Sequence, residues 1–179
     1  MSDAVNPVPI AAHHVAQVVD LIGRCYAEYG LTLVLDDPCE VHLREPGAYF
    51  REGGGDFWVL EDEARVVRAT VALHLTPRPG RGPEAELKSM YVDAAWRRRG
   101  VGRRLTLHVI EAARRAGAST LELWSDTRFH AAHAMYESLG FVRIGRRDIE
   151  DSNDSSEWGY RLELARTDVS PTSSERAGC

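Results

Sequence analysis

The chain has 179 residues, enough for one domain of ordinary size and short for two. It is 44% hydrophobic and 27% charged, which excludes wholly disordered, collagen-like and coiled-coil classes. Acidic residues outnumber basic ones by 27 to 22, and the net charge of -5 argues against a general nucleic-acid partner. No run approaches the ~18 consecutive apolar residues of a membrane span. The start MSDAVNPVP lacks the basic and apolar segments of a signal peptide, so a cytoplasmic protein with no membrane partner is expected. Cys25, Cys39 and Cys179 form an odd set without CxxC, which predicts reduced thiols and no metal.

In chain order, residues 1–9 read as an N-terminal arm. Ile10, Val15, Val18, Val19, Ile22 and Tyr26 then recur at spacings of an amphipathic helix that ends near Gly30. Residues 31–55, with Pro38, Pro46 and the Gly53–Gly55 run, predict loops and a short second helix over Val41 to Tyr49. Asp56 to Leu60 and Val66 to Leu75 predict a hairpin across the charged turn Glu61 to Arg65. After the proline and glycine stretch 77–83, Glu86 to Val92 reads as a strand. Val101, Leu105, Val109, Ala112 and Ala116 form a long helix closed by Gly117. A strand over Thr120 to Trp124, a helix over His130 to Leu139 and strands over Phe141 to Arg147 and Trp158 to Leu164 complete a mixed α and β order. The domain spans 10–165, and residues 166–179 are expected to be a disordered tail.

The charge distribution is more informative than its total. Seven arginines lie between Arg97 and Arg115 against one acid, Glu111. The run Arg97-Arg98-Arg99-Gly100-Val101-Gly102-Arg103 stands where the long helix begins, and a helix N-terminus offers unpaired N–H groups and partial positive charge. Two glycines let an anion approach that backbone, which predicts a phosphate site. A dinucleotide GxGxxG is excluded because Leu105 stands at the third glycine, and no GxxxxGK[ST] occurs. Single-strand nucleic-acid binding would need interleaved aromatics that are absent.

Together with Glu86-Leu87-Lys88-Ser89-Met90-Tyr91-Val92 and Ala132-x-x-x-Tyr136-x-x-x-Gly140-Phe141, this loop resembles the GCN5-related N-acetyltransferases, over roughly residues 10–165. The resemblance implies an α/β (α+β) fold of order β-α-α-β-β-β-α-β-α-β-β, with helices flanking a mixed, mostly antiparallel sheet. It implies an acetyl-CoA-dependent N-acetyltransferase with no metal, in which acetyl passes directly to a small-molecule or peptide amine in a ternary complex. A catalytically inactive acyl-CoA-binding or protein-interaction module of the same fold is the alternative, and a homodimer is left open. Carried over by residue, the backbone of Met90, Tyr91 and Val92 meets the pantetheine and thioester, and Arg97, Arg98, Arg99, Gly100, Val101, Gly102 and Arg103 hold the pyrophosphate. Tyr136 matches the tyrosine that protonates the departing thiolate. Phe129 stands where members often have an asparagine touching the pantetheine. Trp124 stands where acetylators of a ribosomal-protein N-terminus have a glutamate base, which disfavours that acceptor.

Attack by an amine requires a proton acceptor. Glu86, fourteen positions before Gly100, matches the base of histone-type members and starts the strand expected to hold the thioester. His74 could serve instead but reads more simply as a surface histidine. His130 and His133 are one turn apart with no third metal ligand, His13 and His14 read as solvent-facing, and Ser125-Asp126 lacks GxSxG. The four tryptophans read as core or rim, with Trp124 placed to line an acceptor pocket. The resemblance implies that segment 148–157, the loop between the last two strands, overhangs the acceptor side, and its acids (Asp148, Glu150, Asp151, Asp154 and Glu157) then predict a cationic acceptor.

Overall fold

A computed structural model describes residues 6–164. The expected tail and the first five residues of the arm lie outside this range. The elements run β1 (Val8–Pro9), α1 (Val15–Ala27), α2 (Pro46–Glu52), β2 (Asp56–Glu61), β3 (Val67–Thr76), β4 (Glu84–Val92), α3 (Val101–Arg115), β5 (Thr120–Asp126), α4 (His130–Ser138), β6 (Val142–Asp148) and β7 (Ser156–Glu163). They build one sheet in the order β1-β2-β3-β4-β5-β7-β6. Every neighbouring pair is antiparallel except β4 and β5.

The two faces carry separate cores. On one, Val18, Leu21, Ile22 and Cys25 of α1 line up at helical spacing and pack with Phe50 of α2 onto Phe57, Val59 and Ala72. On the other, Leu105, Val109 and Ala113 of α3 and Tyr136 of α4 pack onto Val71, Leu73, Leu87, Leu121 and Tyr160. With both faces covered, β3 is buried along most of its length and reads as a near-continuous apolar run. The Gly53–Gly55 run does more than break the chain: a Cβ at Gly53 or Gly55 would collide with the carbonyl oxygens of Leu75 and Leu73. Those glycines let the end of α2 lie directly against β3.

Four expectations need correction. Val8 and Pro9 are not free arm, since β1 pairs with β2 through Val8↔Val59. Ile10 is core but extended, its N–H reaching Phe57 O at 2.8 Å, so its apolar character prolonged the helical period falsely and α1 starts at Val15. The second helix begins at Pro46, where a first-turn proline suits a helix, and Val41–Leu43 is a single 3-10 turn. His14 is also buried rather than solvent-facing. Its Nδ1 accepts from Ala11 N–H at 3.0 Å and its Nε2 lies 3.1 Å from Glu61 Oε1. Both ring nitrogens are thus engaged, and the His13, His14 and Glu61 cluster ties the N-terminal segment to β2.

Candidate active site

β4 and β5 pair only through Ala85↔Leu121, Glu86↔Glu122 and Leu87↔Leu123, although both continue, to Val92 and Asp126. Past Leu87 they part. A bulge in β4 turns the strand: Ala72 faces Lys88 and Thr70 faces Tyr91, so Ser89 and Met90 together oppose Val71. Ser89 takes φ 50°, a left-handed conformation held from two sides. Thr70 Oγ1 donates to Ser89 O at 2.7 Å, and His42 Nε2 lies 3.0 Å from Ser89 Oγ. Burial, aided by the charge of Lys88, pulls His42 down to about 4, so this prop is uncharged at neutral pH. The result is a stretch of β4 at Met90–Val92 that stays beside β3 on one edge and faces a gap on the edge where β5 would lie.

A groove of about 700 Å³ opens on one side of this gap. Met90 and Val92 line it from β4, with Arg97, Arg98, Gly100, Val101, Gly102 and Arg103 from the loop and first turn of α3, and Phe129 ahead of α4. Of the residues expected at the cofactor, Tyr91 turns to the opposite cavity and Arg99 lines neither. The first α-helical bond of α3 is Arg104 N–H to Gly100 O at 3.0 Å, which leaves the N–H groups of Val101, Gly102 and Arg103 without helical acceptors. No acid occupies that turn. Gly100 has φ 76° with open space where a Cβ would stand, so its role is conformational. A Cβ on Gly102 would come within 3.2 Å of Met135 Sδ, so this glycine sets the approach of α3 to α4. Arg97 is committed elsewhere, its Nε donating to Val92 O at 2.9 Å and its terminal nitrogens to Glu28 at 2.5 and 2.8 Å. The charges left facing the groove are Arg98 and Arg103. Phe129 closes it edge-on against Tyr29, ring centres 4.8 Å apart.

A second cavity of about 100 Å³ meets the groove at Met90 and Phe129. Tyr136 reaches it from α4, its side chain packed against Phe141 and Tyr160 and the residue 3% exposed. None of the described residues hydrogen-bonds its hydroxyl, and burial raises its pKa, so it is a phenol throughout the working range. Ser125 lies beside it, 3.2 Å from His133 Nε2; burial lowers His133, and the pair satisfies itself rather than seating a metal with His130. Trp124 forms a wall: a Cβ on Gly159 would stand 2.8 Å from its ring, and the Arg147 guanidinium lies 4.2 Å over its centre. Glu86 lines neither cavity and lies 3.5 Å from Lys88 Nζ. His74 is stacked on Tyr49 at 5.6 Å and also lies outside.

Two contributors carried no signal in the sequence. Glu40 lines the small cavity from the loop between α1 and α2, and Tyr26 of α1 donates to its Oε1 at 2.5 Å. Tyr91 OH donates in turn to Tyr26 OH at 3.2 Å. The cavity is roofed by segment 148–157, which bonds to the same α1–α2 loop. Asn153 accepts from Thr32 N–H at 2.8 Å and donates to Thr32 O at 2.9 Å. Ser152 donates to Asp37 from its N–H at 3.1 Å and its hydroxyl at 3.0 Å.

Residues 16–141 match the family model for the acetyltransferase (GNAT) family. The uncharacterized N-acetyltransferase YjgM of Escherichia coli (strain K12) is 33% identical over 71% of this chain and 75% of its own length. Human N-acetyltransferase 8 is 34% identical over 55% of this chain, and the match spans 44% of that protein, less than half of its length. In three dimensions, a GNAT-family acetyltransferase from Staphylococcus aureus Mu50 superposes with a TM-score of 0.74, covering 90% of this chain and 100% of that one at 20% identity. No helix among the described residues is long and apolar enough to cross a membrane. The β-α-α-β-β-β-α-β-α-β-β order, the parted strands and the match over residues 16–141 agree, and the chain belongs to the GNAT family of acetyl-CoA-dependent acyltransferases.

Proposed function

We propose that this chain transfers the acetyl group of acetyl-CoA to a primary amine by direct attack in a ternary complex. The observation that carries the reading is the meeting of the two cavities at Met90 and Phe129. The larger offers free helix-terminal N–H groups and arginines for a pyrophosphate, and the smaller offers a buried phenol and carboxylates. A thioester at the junction would lie along the open backbone of Met90–Val92, where a strand N–H can stabilise the oxyanion. Tyr136 would protonate the departing thiolate. The fit of acetyl-CoA to these residues rests on the uncapped first turn of α3 and the left-handed Gly100 before it.

The acceptor in this reading is a cation. Glu40, Asp126, Asp151 and Glu157 line the smaller cavity against one lysine, Lys88. Arg128 pairs with Asp126 and Arg147 with Glu157, and Asp151 accepts from Asn153 N–H and Ser155 N–H, which hold its carboxyl below its ordinary value against the opposing effect of desolvation. Net negative charge therefore remains where an ammonium would enter. The test is free-thiol release from acetyl-CoA across a panel of small amines, polyamines and lysine-containing peptides. Turnover is expected with cationic acceptors. Preference for neutral or anionic amines would refute the charge argument, and no thiol release with any amine would refute the transfer.

Acetyl-CoA binding is expected to weaken as salt rises, because Arg98 and Arg103 are exposed enough to be screened over the ~10 Å Debye length of 0.1 M salt. Calorimetry at rising salt reads this directly. An affinity independent of salt would show that phosphate contacts contribute little.

A further inference from the structure

We infer that Glu40 is the general base that deprotonates the acceptor amine, an assignment resting on the transfer reading above. Glu40 and Tyr136 line one cavity, together with Ser89, Met90 and Tyr91 of the open β4 backbone. A base there and an acid there serve the two proton transfers that aminolysis of a thioester requires. Glu86, the carboxylate with the expected spacing, lines neither cavity.

The carboxylate is held by a one-way chain. Tyr91 OH donates to Tyr26 OH, and Tyr26 OH donates to Glu40 Oε1. Each phenol spends its single proton toward the carboxylate, so the chain fixes Oε1 and supports the ionised form. Oε2 has no hydrogen-bond partner among the described residues and is the atom free to take a proton. The groups bearing on Glu40 come from all sides: Tyr26 of α1, Asp37 and Cys39 of its own loop, Lys88 and Tyr91 of β4, and Glu157 of β7. Desolvation dominates and, with Asp37 and Glu157, raises its pKa; Tyr26 and Lys88 oppose. A raised carboxylate pKa makes a stronger base.

The protons balance as follows. Glu40 Oε2 takes one proton from the ammonium and later releases it to solvent. The freed nitrogen lone pair forms the N–C bond at the thioester carbonyl, the C–S bond breaks, and the thiolate takes the Tyr136 proton. The second proton lost by nitrogen restores the phenol through the cavity.

In Glu40→Gln, which keeps an acceptor oxygen for Tyr26, kcat with an ammonium acceptor at pH 7 is expected to fall ~100-fold or more, and the acidic limb of the pH profile to vanish. Acetyl-CoA affinity and melting temperature should stay near wild type. The loss should shrink for an acceptor that is already neutral at the assay pH, such as hydroxylamine. Tyr26→Phe leaves the carboxylate in place and removes a bond that lowers its pKa, so the limb should move to higher pH; this reads the same assignment if Glu40→Gln fails to fold. Three results would overturn it: an unchanged limb in folded Glu40→Gln, a raised KM with kcat intact, or a limb that survives in Glu40→Gln and disappears in Glu86→Gln. Wild-type protein that binds acetyl-CoA yet acetylates no amine overturns the transfer and this assignment together, whereas turnover with an indifferent Glu40→Gln overturns the assignment alone.

Discussion

Tyr136→Phe is expected to fold with a near-normal melting temperature and to lose ~100-fold or more in kcat, the range for removing a positioned acid. The ring, packed against Phe141 and Tyr160, is retained in the variant. The deleted hydroxyl has no partner among the described residues, so its removal strands no buried polar group, which is the usual source of a stability penalty. The direction of proton flow follows from burial. Desolvation raises the phenol, as burial elsewhere raises the thiol of Cys25, which lines the larger groove. The phenol is protonated at every pH used for assay, so Tyr136→Phe should lower the whole kcat profile without moving its acidic limb. A rate equal to wild type would show that water protonates the thiolate and that the tyrosine is a packing residue.

Gly100→Val is expected to weaken acetyl-CoA binding ~10-fold or more. At φ 76° the residue before α3 is left-handed, and a residue with a Cβ held there costs roughly 1–2 kcal/mol, more for a branched side chain. Relief of that strain would rotate the N–H groups of Val101, Gly102 and Arg103 off their common direction, and 1.4 kcal/mol is a factor of ten in Kd. A Cβ at Gly100 meets nothing within 4 Å, so the effect is one of backbone geometry and not of crowding. Titration calorimetry on folded protein measures it; an unchanged Kd would remove the first turn of α3 from the donor site.

The groove proposed for the donor was readable because its parts are close in sequence. Strand β4, the arginine and glycine loop, α3 and Tyr136 fall within one stretch, and helical and strand periods place them with little tertiary help. Glu40 and Tyr26 were not readable for the opposite reason. Glu40 is one acid in a loop rich in breakers, and only the packing of α1 against β4 brings Tyr26, Tyr91 and Glu40 into line. The bulge at Ser89 left no local trace either, since what holds it are His42 and Thr70, each from another element. His14 was misread because a histidine at a helix start looks solvated until Glu61, 47 positions away, is folded onto it. Ile10 shows the converse error: an apolar side chain at the right spacing joined a helical pattern while its backbone joined a sheet.

The bonds between Asn153 and Thr32 and between Ser152 and Asp37 span 121 and 115 positions, and they close the smaller cavity, proposed to take the acceptor, with a segment beyond the family match, which ends at residue 141. On the proposed reading, part of the acceptor wall is thus written outside the stretch that carries the donor groove, while Glu40, Lys88 and Asp126 keep the rest of that wall within it. Lengthening or rewording segment 148–157 could admit a different amine while β4, the α3 loop and Tyr136 stay as they are. A scaffold divided in this way can change its clientele by editing a roof, with the machinery beneath left intact.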